Sequence, residues 1–235
     1  MFEKRSEELE LMDDLLLSNE ALRQNLDELE VINQRLGGYA VVTDALSTLL
    51  PQLQDLNREI TIADLGCGGG DTLREIAKWS REKSIQTALI GIDANKFILE
   101  YAKQKCTTYP EISFLQQNIF AESFKQQRYD IIVCSLFCHH FSDEELVHFF
   151  RQFLKQARVA VIINDLHRHP LAYYSIKTLA NIFSDSYLVK NDAPLSVLRA
   201  FKKNELETLA KAAGAKNYRL HWKWAFRWQL ILYAG

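Results

Sequence analysis

The sequence predicts an α/β protein built on a mostly parallel β-sheet, with helices on both faces and an antiparallel hairpin at one edge. Over the middle of the chain, short apolar runs without polar alternation are separated by helical stretches, which is typical of parallel strands covered on both sides. The segment 218–233 instead alternates in polarity, and eight of its large apolar residues fall on one parity. Such alternation favours two antiparallel strands at the edge of the sheet.

The composition favours one large domain with an additional lobe over several domains, because the chain has 235 residues and 48% of them are apolar. Lys and Arg together number 28 and Asp and Glu 30, so the formal net charge is −2. A protein that binds a nucleic-acid backbone usually has a basic balance or a basic face. Nucleic acid is therefore not the expected partner.

The apolar runs fall far short of the ~20 residues that span a bilayer. The acidic N-terminus, MFEKRSEELELMDD, lacks the apolar core of a signal peptide. A cytoplasmic protein without a membrane span is therefore expected. The cysteines form no CxxC pair, which predicts reduced thiols packed as small apolar residues; they are Cys67, Cys106, Cys134 and Cys138.

Residues 3–36 carry ten acids, four bases and no Pro or Gly, which predicts helix. One apolar face recurs at helical spacing; it comprises Leu22, Leu26, Leu29, Ile32 and Leu36. This pattern lasts about two heptads, whereas a coiled coil sustains three or four. A helical lid over residues 1–50 that docks on a main domain over residues 51–235 is therefore expected, with a dimerisation arm as the alternative. The protein is expected to be a monomer or a homodimer.

Gly37 and Gly38 end the first helix, and a second helix is predicted over residues 40–50, stopping before Pro51. The predicted strands then follow in order, with helices between them; they span residues 60–65, 87–93, 112–116, 130–137 and 158–164. Ser142 and Glu145 form a capping box that begins the helix after residue 141. A further helix is predicted from Asn204 to Gly214, and the terminal hairpin is expected to bend near Trp224–Ala225.

The stretch IADLGCGGGD, residues 62–71, carries the strongest functional signal. A buried strand delivers Asp64, and Gly66, Gly68 and Gly70 then form a GxGxG turn that opens a helix. Glycine allows the backbone to adopt positive φ and to approach a ligand closely. Asp71 stands where a dinucleotide-binding turn needs a third glycine, and its charge would oppose a pyrophosphate. A positively charged ligand would not be opposed.

Asp93 ends the second predicted strand, in the sequence GIDAN. An acid at this distance from a glycine turn is suited to bind both hydroxyls of a ribose. The alternative for a strand-end Asp is to cap the helix that follows.

In this order and spacing, DLGCGGGD, GIDAN, QQNIF and YDIIVCSLFCHHF resemble the successive motifs of class I S-adenosylmethionine-dependent methyltransferases. The resemblance is strong over residues 60–165, and the chain ends are more loosely similar to small-molecule methyltransferases with a helical N-terminal lid. It implies a Rossmann-like, mostly parallel seven-stranded sheet and S-adenosylmethionine as the cofactor.

The resemblance also implies roles for individual residues. Gly66, Cys67 and Gly68 would lie against the methionine moiety through their backbone, while Asp64 would fix the loop or reach the amino group through water. The remaining cofactor contacts that it implies are Asp93 and Ala94 beside the ribose, Asn118 and Ile119 beside the adenine, the carbonyl of Ser135 at the ammonium, and Arg35 at the carboxylate. Asn118 departs from the family, which often has an acid at that position.

The acceptor of such enzymes lies over the ends of the fourth and fifth strands. His139 and His140 follow the fourth strand, and imidazoles accept protons near neutral pH, so both are candidate bases for an oxygen or nitrogen nucleophile. The alternative is that they cap the next helix or cover the cofactor. His167, Arg168 and Tyr174, after the fifth strand, are candidate substrate contacts.

A metal centre is not expected. Asn164 and Asp165 superficially match the acids that hold a divalent cation in some phenol methyltransferases, but the fourth strand ends in Ser135 and its acid, Asp130, stands at the opposite end. Cys138, His139 and His140 have no complementary pair at zinc-like spacing. The CSLF sequence after the fourth strand also replaces the [DN]PP[YF] sequence of enzymes that methylate adenine or glutamine amides.

The predicted function is methyl transfer to a small molecule, most simply to an oxygen of a phenol-, quinone- or polyketide-like compound. Carbon or nitrogen methylation remains open. The sequence also leaves open an NAD-dependent oxidoreductase and a cofactor-binding protein without catalysis.

Overall fold

The computed structural model describes residues 1–14 and 17–235. Its centre is a seven-stranded sheet with the order β3-β2-β1-β4-β5-β7-β6. The strands are β1 Ile60–Leu65, β2 Thr87–Asp93, β3 Ile112–Gln116, β4 Tyr129–Ser135, β5 Ala157–Leu166, β6 Tyr218–Lys223 and β7 Arg227–Tyr233. β1 to β5 pair in parallel, and β7 is antiparallel to both β5 and β6. This confirms the predicted mostly parallel seven-stranded sheet and its antiparallel C-terminal hairpin.

Nine α-helices surround this sheet in the described part of the chain. They are α1 Glu20–Arg35, α2 Gly38–Asp55, α3 Asp71–Glu82, α4 Lys96–Lys105, α5 Glu122–Lys125, α6 Asp143–Gln156, α7 Pro170–Phe183, α8 Tyr187–Arg199 and α9 Lys203–Ala212. Within the described residues, no helix is long and apolar enough to cross a membrane. Two 3-10 turns, Leu11–Asp13 and Cys138–His140, lie beside the site described below.

Alternate strand residues face two separate cores, as the period of two in a strand requires. On one face, Ile62, Ile131 and Ile162 pack under α2, α3 and α4. On the other face, Ala63 and Ile132 pack with the phenylalanines of α6 and the leucines of α9. Each fully buried large apolar side chain contributes roughly 1.5–3 kcal/mol, so the sheet is fixed rigidly between two helical layers.

The predicted capping box begins α6. The Ser142 hydroxyl accepts a hydrogen bond from the Glu145 amide at 3.3 Å, and the Glu145 carboxylate accepts one from the Ser142 amide at 2.9 Å. The cap fixes the start of α6, the helix that follows β4.

The predicted helix over residues 3–36 is wrong for its first part, because among the described residues of this range the α-helix is α1 alone, Glu20–Arg35. Residues 1–14, the N-terminal strap, run across the molecule without α-helix. The Asp192 carboxylate accepts hydrogen bonds from the amides of Leu11 and Met12 at 2.9 and 3.0 Å. Because these amides bond to another part of the fold, tertiary contacts override the local preference for helix.

The predicted end of the second helix before Pro51 is also wrong, because α2 continues to Asp55 with Pro51 inside it. Leu49 and Leu53 on either side of the proline are buried in the core beneath the sheet, and this packing offsets the missing hydrogen bond. The domain boundary expected between residues 50 and 51 thus falls inside a helix of the main core.

Candidate active site

The turn after β1 has the backbone that its glycines predict. Gly66, Gly68 and Gly70 have φ values of +66°, +51° and +72°, in the left-handed region that disfavours side chains. A Cβ at Gly66 would lie 2.2 Å from a ring carbon of Phe137, whereas one at Gly68 would come no closer than 3.6 Å, to Leu26. Gly66 therefore has no room for a side chain, and Gly70 has little, because a Cβ there would lie 2.9 Å from Cys106 Sγ.

Three carboxylates surround this turn. Asp64 is 2% exposed, and its Oδ1 is buried without a hydrogen-bond partner among the described residues. Burial raises the pKa of Asp64 well above its ordinary value, and the charges of Asp71 and Asp93 raise it further. Asp71 accepts a hydrogen bond from the Tyr39 hydroxyl at 2.8 Å. Such a cluster of acids is stabilised by a positively charged ligand and opposes an anionic one.

A cavity of about 490 Å³, the cofactor cavity, opens beside the turn, within the volume range of small-molecule sites. It brings together six residues predicted to bind the cofactor: Gly66, Gly68, Asp93, Ala94, Asn118 and Ile119. The N-terminal strap supplies Leu9, Met12 and Asp13 as another part of the wall. The sequence did not indicate these three residues, because the strap resembles an ordinary acidic helix.

Asp93 is free to bind a ligand because its neighbour caps the helix. The Asn95 side chain accepts hydrogen bonds from the Phe97 and Ile98 amides at 2.9 and 3.3 Å, so Asn95 is the N-cap of α4. Asp93 Oδ1 accepts one bond, from the Asn95 amide at 2.9 Å. The capping role considered for Asp93 thus falls to Asn95, and the carboxylate lines the cavity.

The other predicted cofactor residues do not line this cavity. Asp64 and Cys67 are buried. The Ser135 hydroxyl accepts a hydrogen bond from the side-chain amide of Asn164 at 2.8 Å. Arg35 requires a correction: it is exposed and lines a separate cavity between α1 and α7. Its neighbours Ile32, Asn33 and Leu36 line the cavity described next.

A second cavity of about 330 Å³, the acceptor cavity, lies between α1, α7, α8 and the turn of the terminal hairpin. Most of its wall is apolar and includes Leu29, Ile32, Leu36, Leu166, Ile176, Leu179, Val197 and Phe226. Met12, Leu136 and His140 line both cavities. Ligands in the two cavities would therefore meet at these three residues.

The three residues predicted to contact substrate lie outside both cavities. Arg168 is buried, and its guanidinium donates to the Glu205 carboxylate and to the carbonyl of Phe2, which is a structural role. Tyr174 is 57% exposed because α7 turns Ala172, Ser175 and Ile176 toward the acceptor cavity instead.

His167 does not line the acceptor cavity because its backbone continues the sheet. The His167 amide donates a hydrogen bond to the Phe226 carbonyl at 2.8 Å, and His167 forms a bridge with Phe201. Burial, together with the charges of His169, Arg168 and Lys202, lowers the pKa of His167 to about 4. Its ring is therefore neutral at physiological pH.

His139 is 2% exposed, and Asp165 contacts both its ring and its backbone amide. Its ring Nδ1 lies 2.7 Å from Asp165 Oδ1, and its backbone amide donates to Asp165 Oδ2 at 3.1 Å. Burial would raise the pKa of Asp165, but the His139 imidazole outweighs it and lowers that pKa. The arrangement leaves Nε2 of His139 directed away from Asp165.

His140 lies beside His139, with 4.2 Å between the two ring centroids. Its Nδ1 lies 2.6 Å from Asp13 Oδ1 of the N-terminal strap. Arg199 donates to the carbonyls of both His139 and His140, at 3.2 and 2.8 Å, and to Asp13 Oδ2 at 2.7 Å. The predicted histidine pair is thus fixed at the boundary between the two cavities.

Glu10 is a site residue that sequence reasoning missed. It is 3% exposed, lines the acceptor cavity and accepts a hydrogen bond from the Ser196 hydroxyl at 2.9 Å. Its other oxygen, Oε1, lies 3.5 Å from His139 Nε2 and has no hydrogen-bond partner among the residues described. Burial raises the pKa of Glu10 to about 7. Nothing in the run of acids over residues 3–14 distinguishes it.

Arg227 was missed as well, because it falls on the polar parity of the hairpin. It is 2% exposed and lines the acceptor cavity. Nη2 donates to Asn33 Oδ1 at 2.8 Å, while Nε and Nη1 are buried without a partner in the part of the chain that the structure describes. Burial lowers the pKa of Arg227 to about 10, so it is charged at neutral pH.

Comparison with known proteins agrees with this geometry. Residues 62–172 match the family model of a methyltransferase domain, and no curated protein sequence matches the chain. The plantazolicin methyltransferase BpumL in complex with S-adenosylhomocysteine has the same fold, with a TM-score of 0.63 and 16% identity over 91% of this chain and 99% of that one.

Two further solved structures share the fold. Human N-acetylserotonin methyltransferase in complex with S-adenosylmethionine has a TM-score of 0.63 and 15% identity, over 92% of this chain and 56% of that one. An O-methyltransferase family protein from Burkholderia thailandensis has a TM-score of 0.64 and 16% identity, over 97% and 64% of the two chains.

The sheet order and the glycine turn define the class I methyltransferase fold. The match of residues 62–172 to a methyltransferase domain agrees with the class I S-adenosylmethionine-dependent methyltransferase that the sequence motifs predicted.

Proposed function

We propose that this enzyme methylates an oxygen of a small, largely apolar acceptor, such as a phenol-, quinone- or polyketide-like compound. The observation that carries the proposal is the shared wall of the two cavities. Met12, Leu136 and His140 line both, so a nucleophile in the acceptor cavity can approach a group held in the cofactor cavity. Alignment of two reactants in this way removes much of the entropic barrier of a bimolecular step.

The residues of the cofactor cavity fit S-adenosylmethionine. Asp93 lines the cavity, and Asp64 and Asp71 lie at the two ends of the glycine turn, so these carboxylates suit a ligand with ammonium and sulfonium charges. Gly66 lines the cavity without a side chain. Asp93 is placed to accept bonds from the ribose hydroxyls. When bound, this cofactor supplies an electrophilic methyl group: the acceptor oxygen forms the new C–O bond while the C–S bond breaks and its electron pair stays on sulfur.

The acceptor cavity selects for a compact apolar molecule with one polar edge. Its apolar wall favours apolar rings, and its volume of about 330 Å³ suits one or a few fused rings. The buried Arg227 supplies a charged donor, because its Nε and Nη1 are unpartnered among the described residues. A carbonyl or carboxylate on the acceptor would satisfy them and orient the ring.

The histidine pair activates the acceptor hydroxyl. Asp165 and Asp13 hold Nδ1 of His139 and His140, respectively, and this fixes both rings beside the shared wall. Imidazoles placed in this way can act in two ways: they can accept the hydroxyl proton themselves, or they can hold a cation that makes the hydroxyl more acidic. Either route generates the oxygen nucleophile beside the methyl group.

The structural neighbours support a small-molecule acceptor. BpumL is named for plantazolicin and has been solved with a triazolic desmethylPZN analogue, and another neighbour is a magnesium protoporphyrin IX methyltransferase. These compounds differ widely, so the fold supports only the class of reaction. The lining of the acceptor cavity must determine which acceptor binds.

The test incubates the protein with methyl-labelled S-adenosylmethionine and a panel of phenols, hydroxyquinones and matched anilines, with products identified by mass spectrometry. We expect labelled methyl ethers and no labelled anilines. Calorimetry with S-adenosylhomocysteine and with NAD separates methyl transfer from competing functions: binding of NAD alone would indicate an oxidoreductase, and binding of S-adenosylhomocysteine without any product would favour a cofactor-binding protein.

A further inference from the structure

Glu10, His139 and His140 converge at the boundary of the two cavities. One ligand atom from each lies within 4.8 Å of the others. Glu10 Oε1 is 3.5 Å from His139 Nε2 and 4.0 Å from His140 Nδ1. Separations of this size allow all three residues to bind one ion after a small contraction, because metal–ligand bonds to nitrogen and carboxylate oxygen are ~2.0–2.2 Å long.

We propose that Glu10, His139 and His140 form a binding site for a divalent cation. The donor set of two imidazoles and one carboxylate suits zinc, manganese or iron, whereas magnesium and calcium prefer oxygen ligands. Three protein ligands leave coordination positions open on the side of the acceptor cavity. This proposal departs from the expectation from the sequence that no metal takes part, and it rests on the proposed function only for the role of the cation.

The first support is the partner of the His139 imidazole. Asp165 Oδ1 lies 2.7 Å from Nδ1 of His139, whereas the other ring nitrogen, Nε2, faces Glu10. A carboxylate on the second ring nitrogen is the usual device that orients a metal-binding histidine and raises its basicity.

The second support is the unpartnered oxygen of Glu10. Oε1 is buried without a hydrogen bond, although its residue is 3% exposed, and a buried carboxylate oxygen needs a cation or a donor. The nearest guanidinium nitrogen, Nε of Arg199, is 3.8 Å from this oxygen and donates instead to the His139 carbonyl. The oxygen is left directed at the two imidazoles.

The third support is local charge. Glu10, Asp13 and Asp165 contact the two imidazoles, and among the described residues Arg199 is the arginine that pairs with Glu10 and Asp13. With neutral imidazoles and all three carboxylates ionised, this group of residues has a net charge of −2. A divalent cation compensates this charge, as bound metals in buried sites commonly do.

The cation would serve the methyl transfer directly. A hydroxyl oxygen of the acceptor can occupy an open coordination position, and coordination lowers the pKa of that hydroxyl. Its proton passes to water, the charge of the cation does not change, and the oxygen lone pair is then available for the methyl carbon. Because Glu10 belongs to the N-terminal strap, the cation would also tie the strap to the body of the enzyme.

The test uses the full-length protein after treatment with a chelator and exchange into chelator-free buffer. Zinc chloride and manganese chloride are titrated by calorimetry in the absence of cofactor and acceptor. We expect one cation per chain, with at least tenfold weaker binding in Glu10→Gln and His139→Ala and ~10–100-fold weaker binding in Asp165→Asn. Glu8→Gln in the strap and His148→Ala on α6 are matched controls that should bind like the wild type, since both side chains are exposed.

Circular dichroism and binding of S-adenosylhomocysteine establish that each variant is folded. Absence of cation binding in the wild type, or equal affinities of the wild type and a folded Glu10→Gln variant, would overturn the cation site. If S-adenosylhomocysteine still binds in that case, the methyl transfer stands and the imidazoles act as bases. Cation binding without cofactor binding would have the opposite meaning: the cation site stands and the proposed methyl transfer fails.

Discussion

At the scale of single residues, the site is marked by buried polar atoms that have no partner within the described chain. Such atoms are Asp64 Oδ1 beside the glycine turn, and Glu10 Oε1 and two nitrogens of Arg227 in residues that line the acceptor cavity. Unsatisfied buried groups cost roughly 1–3 kcal/mol each, so they are rare unless a ligand completes them. The carboxylate oxygens need a cation or a hydrogen-bond donor from the ligand, whereas the Arg227 nitrogens need an anion or a carbonyl group.

Asp93→Ala should raise the dissociation constant of S-adenosylhomocysteine at least tenfold while leaving the fold intact. The reason is the loss of hydrogen bonds to a charged group, each worth ~1.5–3 kcal/mol. Calorimetry with the alanine variant measures the effect. Asp93→Asn is the control for loop structure, because an amide oxygen can still accept from the Asn95 amide, which the carboxylate now accepts at 2.9 Å. Unchanged affinity in a folded Ala variant would remove Asp93 from the binding site.

Gly66→Ala should weaken cofactor binding more than Gly68→Ala. Both positions have positive φ, which costs any side chain ~1–2 kcal/mol, so this strain cancels in the comparison. The difference lies in Phe137, whose ring stands 2.2 Å from the position of a Cβ at Gly66.

A double-variant cycle tests the cause of that difference. Adding Phe137→Ala to Gly66→Ala should restore part of the lost affinity and stability, whereas adding it to Gly68→Ala should not. If the two glycine variants behave alike, contact with Phe137 is not what restricts the turn.

Arg227→Met should stabilise the enzyme without ligands by ~1–3 kcal/mol and should raise the KM for the acceptor. The physical reason is that burial disfavours the charged guanidinium, as its lowered pKa of about 10 shows, while a methionine of similar length fills the space without that cost. Thermal denaturation measures the first effect and steady-state kinetics the second. A less stable variant with unchanged KM would indicate that Arg227 has a purely structural role.

At the scale of elements, the two ends of β4 have separate functions. Its carboxyl end leads to Leu136 and the histidine pair, and its amino end holds Asp130, which accepts from Arg58 at 2.7 and 2.8 Å and from the Thr61 amide at 2.9 Å. Asp130 therefore joins β4 to β1 far from the chemistry. The N-terminal strap has the complementary role, because it covers the carboxyl ends of the strands.

Asp130→Asn should lower the free energy of unfolding by about 2 kcal/mol at neutral pH without changing cofactor affinity. Burial alone would raise the pKa of Asp130, but the bonds from Arg58 and Thr61 outweigh it and lower that pKa to about 2. A lowered pKa stabilises the fold above the ordinary value of 3.8, and this contribution is lost as the pH falls from about 4 to about 2. Chemical denaturation across that range should show the loss in the wild type and not in the variant. The same pH dependence in both proteins would contradict the assignment.

Deletion of residues 1–14 should preserve the core fold and abolish turnover. The deletion removes the Leu9, Met12 and Asp13 wall of the cofactor cavity together with Glu10, whereas both sheet cores are built from later residues. Circular dichroism, single-turnover kinetics and analytical ultracentrifugation measure the outcome. Full activity combined with a change from dimer to monomer would instead make the segment a dimerisation arm.

At the scale of the whole molecule, the sheet and the glycine turn follow from local patterns, and the acceptor site does not. Strands such as β1 carry their own signal because they are largely apolar and the turn after them needs glycine. Glu10 and Arg227 carry none, because their roles depend on which distant segments pack against them. Tyr174 shows the reverse error: a promising aromatic residue near β5 faces solvent because of its rotation on α7.

The N-terminal strap gives the enzyme a common wall between its two ligands, since Met12 lines both cavities. Any ligand that orders this segment lowers the entropic cost of ordering it for the other. The affinities of cofactor and acceptor are then thermodynamically linked, and the factor by which one tightens the other must be the same in both directions. In the proposed reaction, release of either product would loosen the hold on its companion, so the strap would make the departure of methylated acceptor and spent cofactor a shared event.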